Sequence, residues 1–193
     1  MYVKYNWSHW EYDSFFNNID YCIIGSGIVG LSTAIHLKKK APKSKILILE
    51  RGPLPIGAST RNAGFACFGS MTELLDDLEH RSEAEVWSLV EQRFQGLLLL
   101  KQLLGEKSIH YLPEGGYELF TSNETDIYER CLDHVEEFNQ ILKAITGDPA
   151  CFKAVDHLLP NFRMRNVQHL ILNQAEGSID TGKMMRSFLR KAQ

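Results

Sequence analysis

Six residues, Gly25-Ser26-Gly27-Ile28-Val29-Gly30, constrain the fold of this chain more than any others. A short apolar run, Asp20-Tyr21-Cys22-Ile23-Ile24, precedes them, and an amphipathic stretch ending in Lys38-Lys39-Lys40 follows. Strand, glycine turn and helix in that order set a diphosphate against a helix N-terminus, where unpaired N–H groups and the helix dipole favour negative charge. Gly25 permits the tight turn, and Gly27 lets the backbone approach phosphates without a Cβ in the way. Gly30, with Ala34 one turn further on, lets the helix lie close to the strand. Several nucleotide-binding units share this spacing, so the flanking residues decide which one is present.

A second apolar run, Lys45-Ile46-Leu47-Ile48-Leu49, ends at Glu50. A carboxylate here suits hydrogen bonds from the hydroxyls of an adenosine ribose, and it would repel a 2′-phosphate. The plainer alternative is a solvated loop acid beside Arg51; the glycine turn at the expected distance favours the ribose role. Next comes Gly57-Ala58-Ser59-Thr60-Arg61-Asn62-Ala63-Gly64-Phe65-Ala66. Its small residues let the backbone pass close to a bulky ligand, and its hydroxyls can meet phosphate or ribityl oxygens. A plain NAD-binding unit has no need of such a loop, although by itself it also reads as an ordinary surface turn.

Together these stretches resemble the FAD-dependent oxidoreductases of the D-amino-acid oxidase family, in its glycine-oxidase and sarcosine-oxidase branch. GSGIVGLSTAIHL, ILILERG and GASTRNAGF carry the resemblance, which is specific over residues 20–66, loose over 109–193 and absent over 1–19. A weaker echo lies at Glu176-Gly177-Ser178-Ile179-Asp180, before a helix-like run from Thr181 to Leu189. The resemblance implies an α/β fold: an incomplete Rossmann-like FAD-binding domain, then the start of an α+β substrate domain. It implies FAD as cofactor, with pyrophosphate contacts at Gly25, Ser26, Gly27, Ile28, Val29 and Gly30. Glu50 and Arg51 then serve ribose and adenine, Ala58 and Ser59 phosphate or ribityl, and Ala63, Gly64 and Phe65 the flavin. Arg61 and Asn62 face either cofactor or solvent. The implied domains are an extension at 1–19, a first FAD-binding segment at 20–104, a partial substrate domain at 105–167 and a return at 168–193.

Composition excludes several classes. A formal net charge of −3, with 44% hydrophobic residues, gives no basic footprint for nucleic acid. Apolar runs such as Leu97 to Leu100 are far too short to span a bilayer. The N-terminus is aromatic and polar (Tyr5, Trp7, Trp10, Phe15, Phe16), so it does not read as a signal peptide. Cys22, Cys67, Cys131 and Cys151 lack CxxC spacing, and a reduced, cytoplasmic setting fits them. At 193 residues the chain ends near the midpoint expected for the family. A parallel sheet cut to two or three strands leaves an open edge. A fragment or truncated product is therefore the favoured reading, with a C-terminal half or partner chain completing the sheet.

In the middle, Trp87, Val90, Phe94, Leu97, Leu100 and Leu104 predict a helix over 83–104, stopped by Gly105. Ile109–Leu112 and Tyr117–Phe120, around Pro113-Glu114-Gly115-Gly116, read as a β-hairpin. A second helix is predicted over 123–145, with Asn123 as N-cap, Gly147 as stop, and Ile127, Cys131, Val135, Phe138, Leu142 and Ile145 inside. His110, Tyr111 and Tyr117 could face a substrate, but packing is favoured. Cys131 with His134 is too sparse for a metal site. Cys67 reads as a small buried thiol, and His80, His157 and His169 show no triad-like partners.

Three functional readings stand at this point. The first is the FAD-binding portion of an oxidoreductase that converts an amine or amino acid to its imine by hydride transfer, inactive alone and with no catalytic residue identifiable. The second is an NAD-binding Rossmann module. The third is a non-catalytic nucleotide-binding or interaction protein.

Overall fold

The computed structural model describes residues 6–193. In chain order, the first elements are α1 (His9–Glu11), β1 (Tyr21–Ile24), α2 (Ile28–Lys40), β2 (Ile46–Leu49) and β3 (Phe65–Ala66). There follow α3 (Met71–His80), α4 (Glu83–Leu104), α5 (Glu106–Ile109), β4 (Gly116–Thr121) and α6 (Thr125–Thr146). The last are β5 (Phe152–Ala154), α7 (Leu159–Phe162), β6 (Val167–Asn173), β7 (Gly177–Ser178) and α8 (Thr181–Ala192). They divide into two compact units, Met1–Asn62 with Thr181–Gln193, and Ala63–Asp180.

In the first unit β1 and β2 pair in parallel, Tyr21 opposite Ile46 and Ile24 opposite Leu49. The expected strand–turn–helix–strand order is present, and among the described residues the sheet has two strands. Asp20 fixes its start, since its carboxylate accepts from the Lys45 N–H at 2.8 Å. Leu31, Ala34 and Ile35, three and four residues apart, form the buried stripe of α2. Pro42 disfavours helical geometry at Ala41, where α2 ends. Lys38, in that last turn, donates to the Ser44 carbonyl at 2.7 Å. α8 contributes Met184, Met185 and Phe188 to the same core. The aromatic stretch before β1 forms α1 and a π-helical turn, Tyr12–Phe16. It is tethered by Lys45, whose ammonium donates to the carbonyls of Ser14 and Asn17.

The second unit has an antiparallel sheet in the order β4-β6-β5, with a separate β3–β7 pair. Its core joins Phe68, Met71 and Leu74 to Val90, Phe120, Phe138, Leu142 and Ile171, among others. Trp87 packs edge-on against Phe138, with ring centroids 5.0 Å apart.

Three local expectations change. The hairpin does not form: β4 pairs with β6, and Ile109 ends the short helix α5. Leu112 instead bridges to Ser178. The Pro-Glu-Gly-Gly signal is a real turn, with Gly115 at φ +78°, but the strand that satisfies β4 lies some fifty residues on. Glu124, not Asn123, precedes α6, and its carboxylate accepts from the Thr121 N–H and hydroxyl. Tyr128 takes the inward place expected of Ile127, which is exposed. α4 spans the predicted residues, with Val90 buried and Trp87, Phe94, Leu97, Leu100 and Leu104 half-buried as expected; Val86 is buried in addition, and Leu98 and Leu99, off the stripe, are exposed. Gly147 stops α6 in the left-handed conformation, as expected.

Candidate functional site

The glycine turn of the first unit is built from backbone necessity. Gly25 has φ +95°, and its N–H continues the sheet by donating to the Leu49 carbonyl at 2.7 Å. A Cβ at Gly30 would lie 2.0 Å from the Gly25 carbonyl oxygen, so only glycine lets α2 start this close to the turn. Gly27 is the N-cap residue and offers no side chain to the helix end. The first intrahelical bond runs from the Leu31 N–H to the Gly27 carbonyl, so the N–H groups of Ile28, Val29 and Gly30 have no acceptor within the helix. Ile28 donates to the Ser59 hydroxyl at 3.1 Å. Beside these groups the Val29 side chain is 80% exposed. This end of α2 therefore presents outward-facing donors and the positive end of a helix dipole, which together suit an anion.

Glu50 stands at the C-terminal end of β2 and is locked to the turn. Its Oε2 accepts from both the N–H and the hydroxyl of Ser26, each at 2.8 Å, and Oε1 accepts from the Gly52 N–H at 3.2 Å. The Ser26 N–H and hydroxyl, then the Gly52 N–H, hold its carboxyl down at about 2. It is a fixed anion at neutral pH, set to accept further hydrogen bonds rather than donate them. Arg51 beside it is exposed.

Ala58 and Ser59 lie in a short 3-10 turn, Ala58–Thr60. A Cβ at Gly27 would come 3.1 Å from Ser59 Oγ, so the turn stands close against the helix start. Asn62 folds back on this turn, donating to the carbonyls of Ala58 and Ser59. The fold thus gathers Gly25 to Gly30, Glu50 and Ser59 around one helix end. The sequence did not reveal that Ser26 would anchor Glu50, because a serine within a glycine turn carries no signal of its direction.

The flavin-assigned residues belong to the second unit. Ala63 is exposed, and Gly64 is buried at φ +80° with its carbonyl accepting from the Ile179 N–H at 2.8 Å. Phe65, in β3, is 72% exposed. Cys67 is exposed, contrary to the buried thiol expected. Its surroundings still push the thiol pKa up, through partial desolvation and then the charges of Glu176 and Glu73.

His169 also departs from expectation. Its Nδ1 meets Asp156 Oδ2 at 2.7 Å, and its ring stacks on Tyr128 at 4.0 Å, whose hydroxyl reaches the same carboxylate oxygen. With the Leu170 N–H on Oδ1, this carboxylate ties β6 and α6 together. Tyr117 packs against Phe162 and Tyr111 lies under the Lys101 ammonium, in keeping with packing roles. The four cysteines are free thiols, and no described helix is long and apolar enough to cross a membrane.

Comparison with known proteins places this geometry. The family model described as FAD dependent oxidoreductase (DAO) matches residues 20–193. The chain is similar to the probable oxidoreductase OrdL of Haemophilus influenzae, 28% identical over 105 residues, which is 54% of this chain and 24% of that protein. Among solved structures it resembles glycine oxidase from Bacillus cereus, with TM-score 0.59 and 21% identity over 90% of this chain and 43% of that one. It also resembles L-amino acid deaminase from Proteus myxofaciens, with TM-score 0.63 and 20% identity over 91% of this chain and 36% of that one. The chain therefore spans less than half the length of each of these relatives.

Proposed function

The chain belongs to the FAD-dependent oxidoreductase family of D-amino-acid oxidase, and from that premise we propose that it is the FAD-binding portion of an enzyme that oxidises an amine or amino acid. The observation that carries this reading is the start of α2, where outward N–H groups stand beside a glutamate locked in its anionic form.

In this reading Gly25, Ser26, Gly27, Ile28, Val29 and Gly30 hold the pyrophosphate. The Glu50 carboxylate accepts from the adenosine ribose with Arg51 alongside, and its fixed charge opposes a 2′-phosphate. Ala58 and Ser59 meet phosphate or ribityl oxygens, the Ser59 hydroxyl exchanging its Ile28 partner for the ligand. The family pattern gives Ala63, Gly64 and Phe65 the flavin-proximal role. FAD, when bound, supplies the two-electron acceptor for conversion of the amine to an imine that water hydrolyses. This chain's own residues bind and orient it through the backbone donors at the start of α2, that of Ile28 being freed as Ser59 turns to the ligand.

By role, residues 20–104 form the first FAD-binding segment, 105–167 the start of the substrate domain, 168–193 the return, and 1–19 an extension. The compact units break instead after 62 and 180, because α3 and α4 share a core with the β4-β6-β5 sheet. Among the described residues β1 has a strand on one side only, and Ile24 at its end is 86% exposed. Both features support a C-terminal half or partner chain that adds strands there, without which the chain is inactive. Four free thiols support a reducing, cytoplasmic setting.

The test is nucleotide titration of the purified chain, followed by flavin fluorescence and calorimetry. FAD and ADP should bind with similar preference over NADP, and Glu50→Gln should weaken FAD about tenfold, the scale of one charged hydrogen bond. Preference for NAD over FAD would support the Rossmann-module alternative, and binding of neither would support the non-catalytic one.

A further inference from the structure

Residues 6–19 lie outside the family match, which begins at residue 20, yet they are built and anchored. Ser8 and Glu11 close a capping box at the start of α1, and the Asn17 N–H donates to the Tyr12 carbonyl to close the π-helical turn. Trp7 packs on Phe16, with ring centroids 4.8 Å apart. Lys45 holds the segment down through the Ser14 and Asn17 carbonyls. Ordering a segment this way costs conformational entropy, and here it leaves large rings in water: Trp10 is 76% exposed, Phe15 65% and Tyr12 55%. Exposed apolar groups gathered in one place mark a contact surface.

The strands show where these rings stand. β1 and β2 are parallel, so both start at the end of the first unit opposite the glycine turn. The aromatic segment enters β1 at Asp20 and is tied to Lys45 at the start of β2, so it occupies that end. α2 runs from the glycine turn to the same end, where Lys38 reaches the Ser44 carbonyl next to Lys45. α8 arrives there too, since Lys191 lines one hollow with Lys38 and Lys39. Lys38, Lys39, Lys40, Lys43, Arg190 and Lys191 are all exposed.

Over its described residues the first unit carries eleven lysines and arginines against four acids, although the whole chain stands at −3. Those acids do not cancel the patch. Glu11 is engaged by the Ser8 N–H, Asp13 by the Asn17 amide and Asp20 by the Lys45 N–H, while Glu50 lies at the opposite end. Helix dipoles account for a cation in each last turn, but not for six at one end beside exposed rings.

We propose that this end of the first unit docks on an anionic phospholipid surface, its aromatic rings entering the headgroup region and its cations meeting the lipid charges. Trp and Tyr rings, apolar with a polar tip, sit well at that depth. Each lysine or arginine near such a surface adds about fivefold in binding. Single-stranded nucleic acid also pairs cations with aromatic rings, but in a groove that tracks its backbone; rings as exposed as Trp10 and Phe15 suit a flat partner better. The glycine turn lies at the other end, so this docking stands or falls separately from the FAD reading.

The test is flotation of the full chain with phosphatidylcholine vesicles, pure or with roughly one-third phosphatidylserine. The chain should float with the serine-lipid vesicles and not with the pure ones. Raising salt from about 0.1 M to about 1 M should release it, as the screening length falls from about 10 to about 3 Å. Lys39→Gln, Lys40→Gln and Lys43→Gln together, which spare the Lys38–Ser44 bond, should weaken binding about a hundredfold. Trp10→Ala with Phe15→Ala should weaken it at least about tenfold and leave thermal unfolding unchanged, both rings being exposed. No flotation of the wild-type chain, equal binding to both vesicle types, or binding that survives both variants would overturn the proposal. Tighter binding to a single-stranded oligonucleotide than to the vesicles, lost in the same variants, would overturn it in favour of a nucleic-acid surface.

Discussion

Two glutamates show how position alone sets the behaviour of one residue type. Glu50 is exposed and receives three donors, so it stays ionised far below neutral pH. Glu176 is buried with two donors on one oxygen, and desolvation outweighs them. The sign of its effect follows. Because the folded-state value near 7 lies above the ordinary carboxyl value of 4.5, folding favours the protonated form. Its contribution is full below the unfolded value and is lost as pH rises from about 4.5 through 7. The shift corresponds to roughly 3 kcal/mol between the two limits. Thermal unfolding at pH 5 and pH 8 should therefore show lower stability at the higher pH, and Glu176→Gln should flatten that difference; an unchanged slope in the variant would assign it elsewhere. Neither behaviour was legible in the sequence. Glu50 announced its place by following an apolar strand at the right distance from Gly25, but Glu176 read only as part of a Glu-Gly turn. Burial of an acid depends on what folds over it, here Phe68 and Gly69 from more than a hundred residues earlier.

Among elements, periodicity located helices well. α2, α4 and α6 lie within a residue or two of their predicted spans, because glycine stops and three-to-four spacing are local signals. The inward stripe of α4 was legible: Val90 is buried, Trp87, Phe94, Leu97, Leu100 and Leu104 are half-buried, and Leu98 and Leu99, which lie off the stripe, are exposed. The hairpin is where local signals failed. A turn signal fixes a reversal of direction, not the partner that satisfies the next strand, and β6 competes better for β4 than four residues before the turn could. The contrast between positions on and off a stripe has a measurable form. Phe138 on α6 is fully buried against Trp87 and should cost about 3–5 kcal/mol on truncation to alanine. Leu98→Ala on α4, outside the predicted stripe, should change stability by less than about 0.5 kcal/mol. Urea unfolding of the two variants checks both, and a large loss for Leu98→Ala would mean that its face is covered in solution.

At the scale of the whole molecule, the two units differ in what holds them together. The second has a fourteen-residue core cluster and a three-stranded sheet. Among its described residues the first has two parallel strands of four residues, with α2 and α8 supplying six buried apolar side chains. A two-stranded sheet is seldom robust alone, so the first unit should open at lower free energy than the second. That is also the unit with the helix end read as the pyrophosphate cradle, so ligand binding and local stability are linked there. A ligand present at a hundred times its Kd stabilises the state that binds it by about 2.7 kcal/mol. Native-state hydrogen exchange can therefore separate the units. Without nucleotide, amides of α2 and β1 should exchange faster than those of β4, β6 and α6. With FAD at that excess, α2 and β1 should slow about a hundredfold, while β4, β6 and α6 should change little. Uniform protection across both units would show that they open together, and no protection of α2 would remove the glycine turn from the cofactor site.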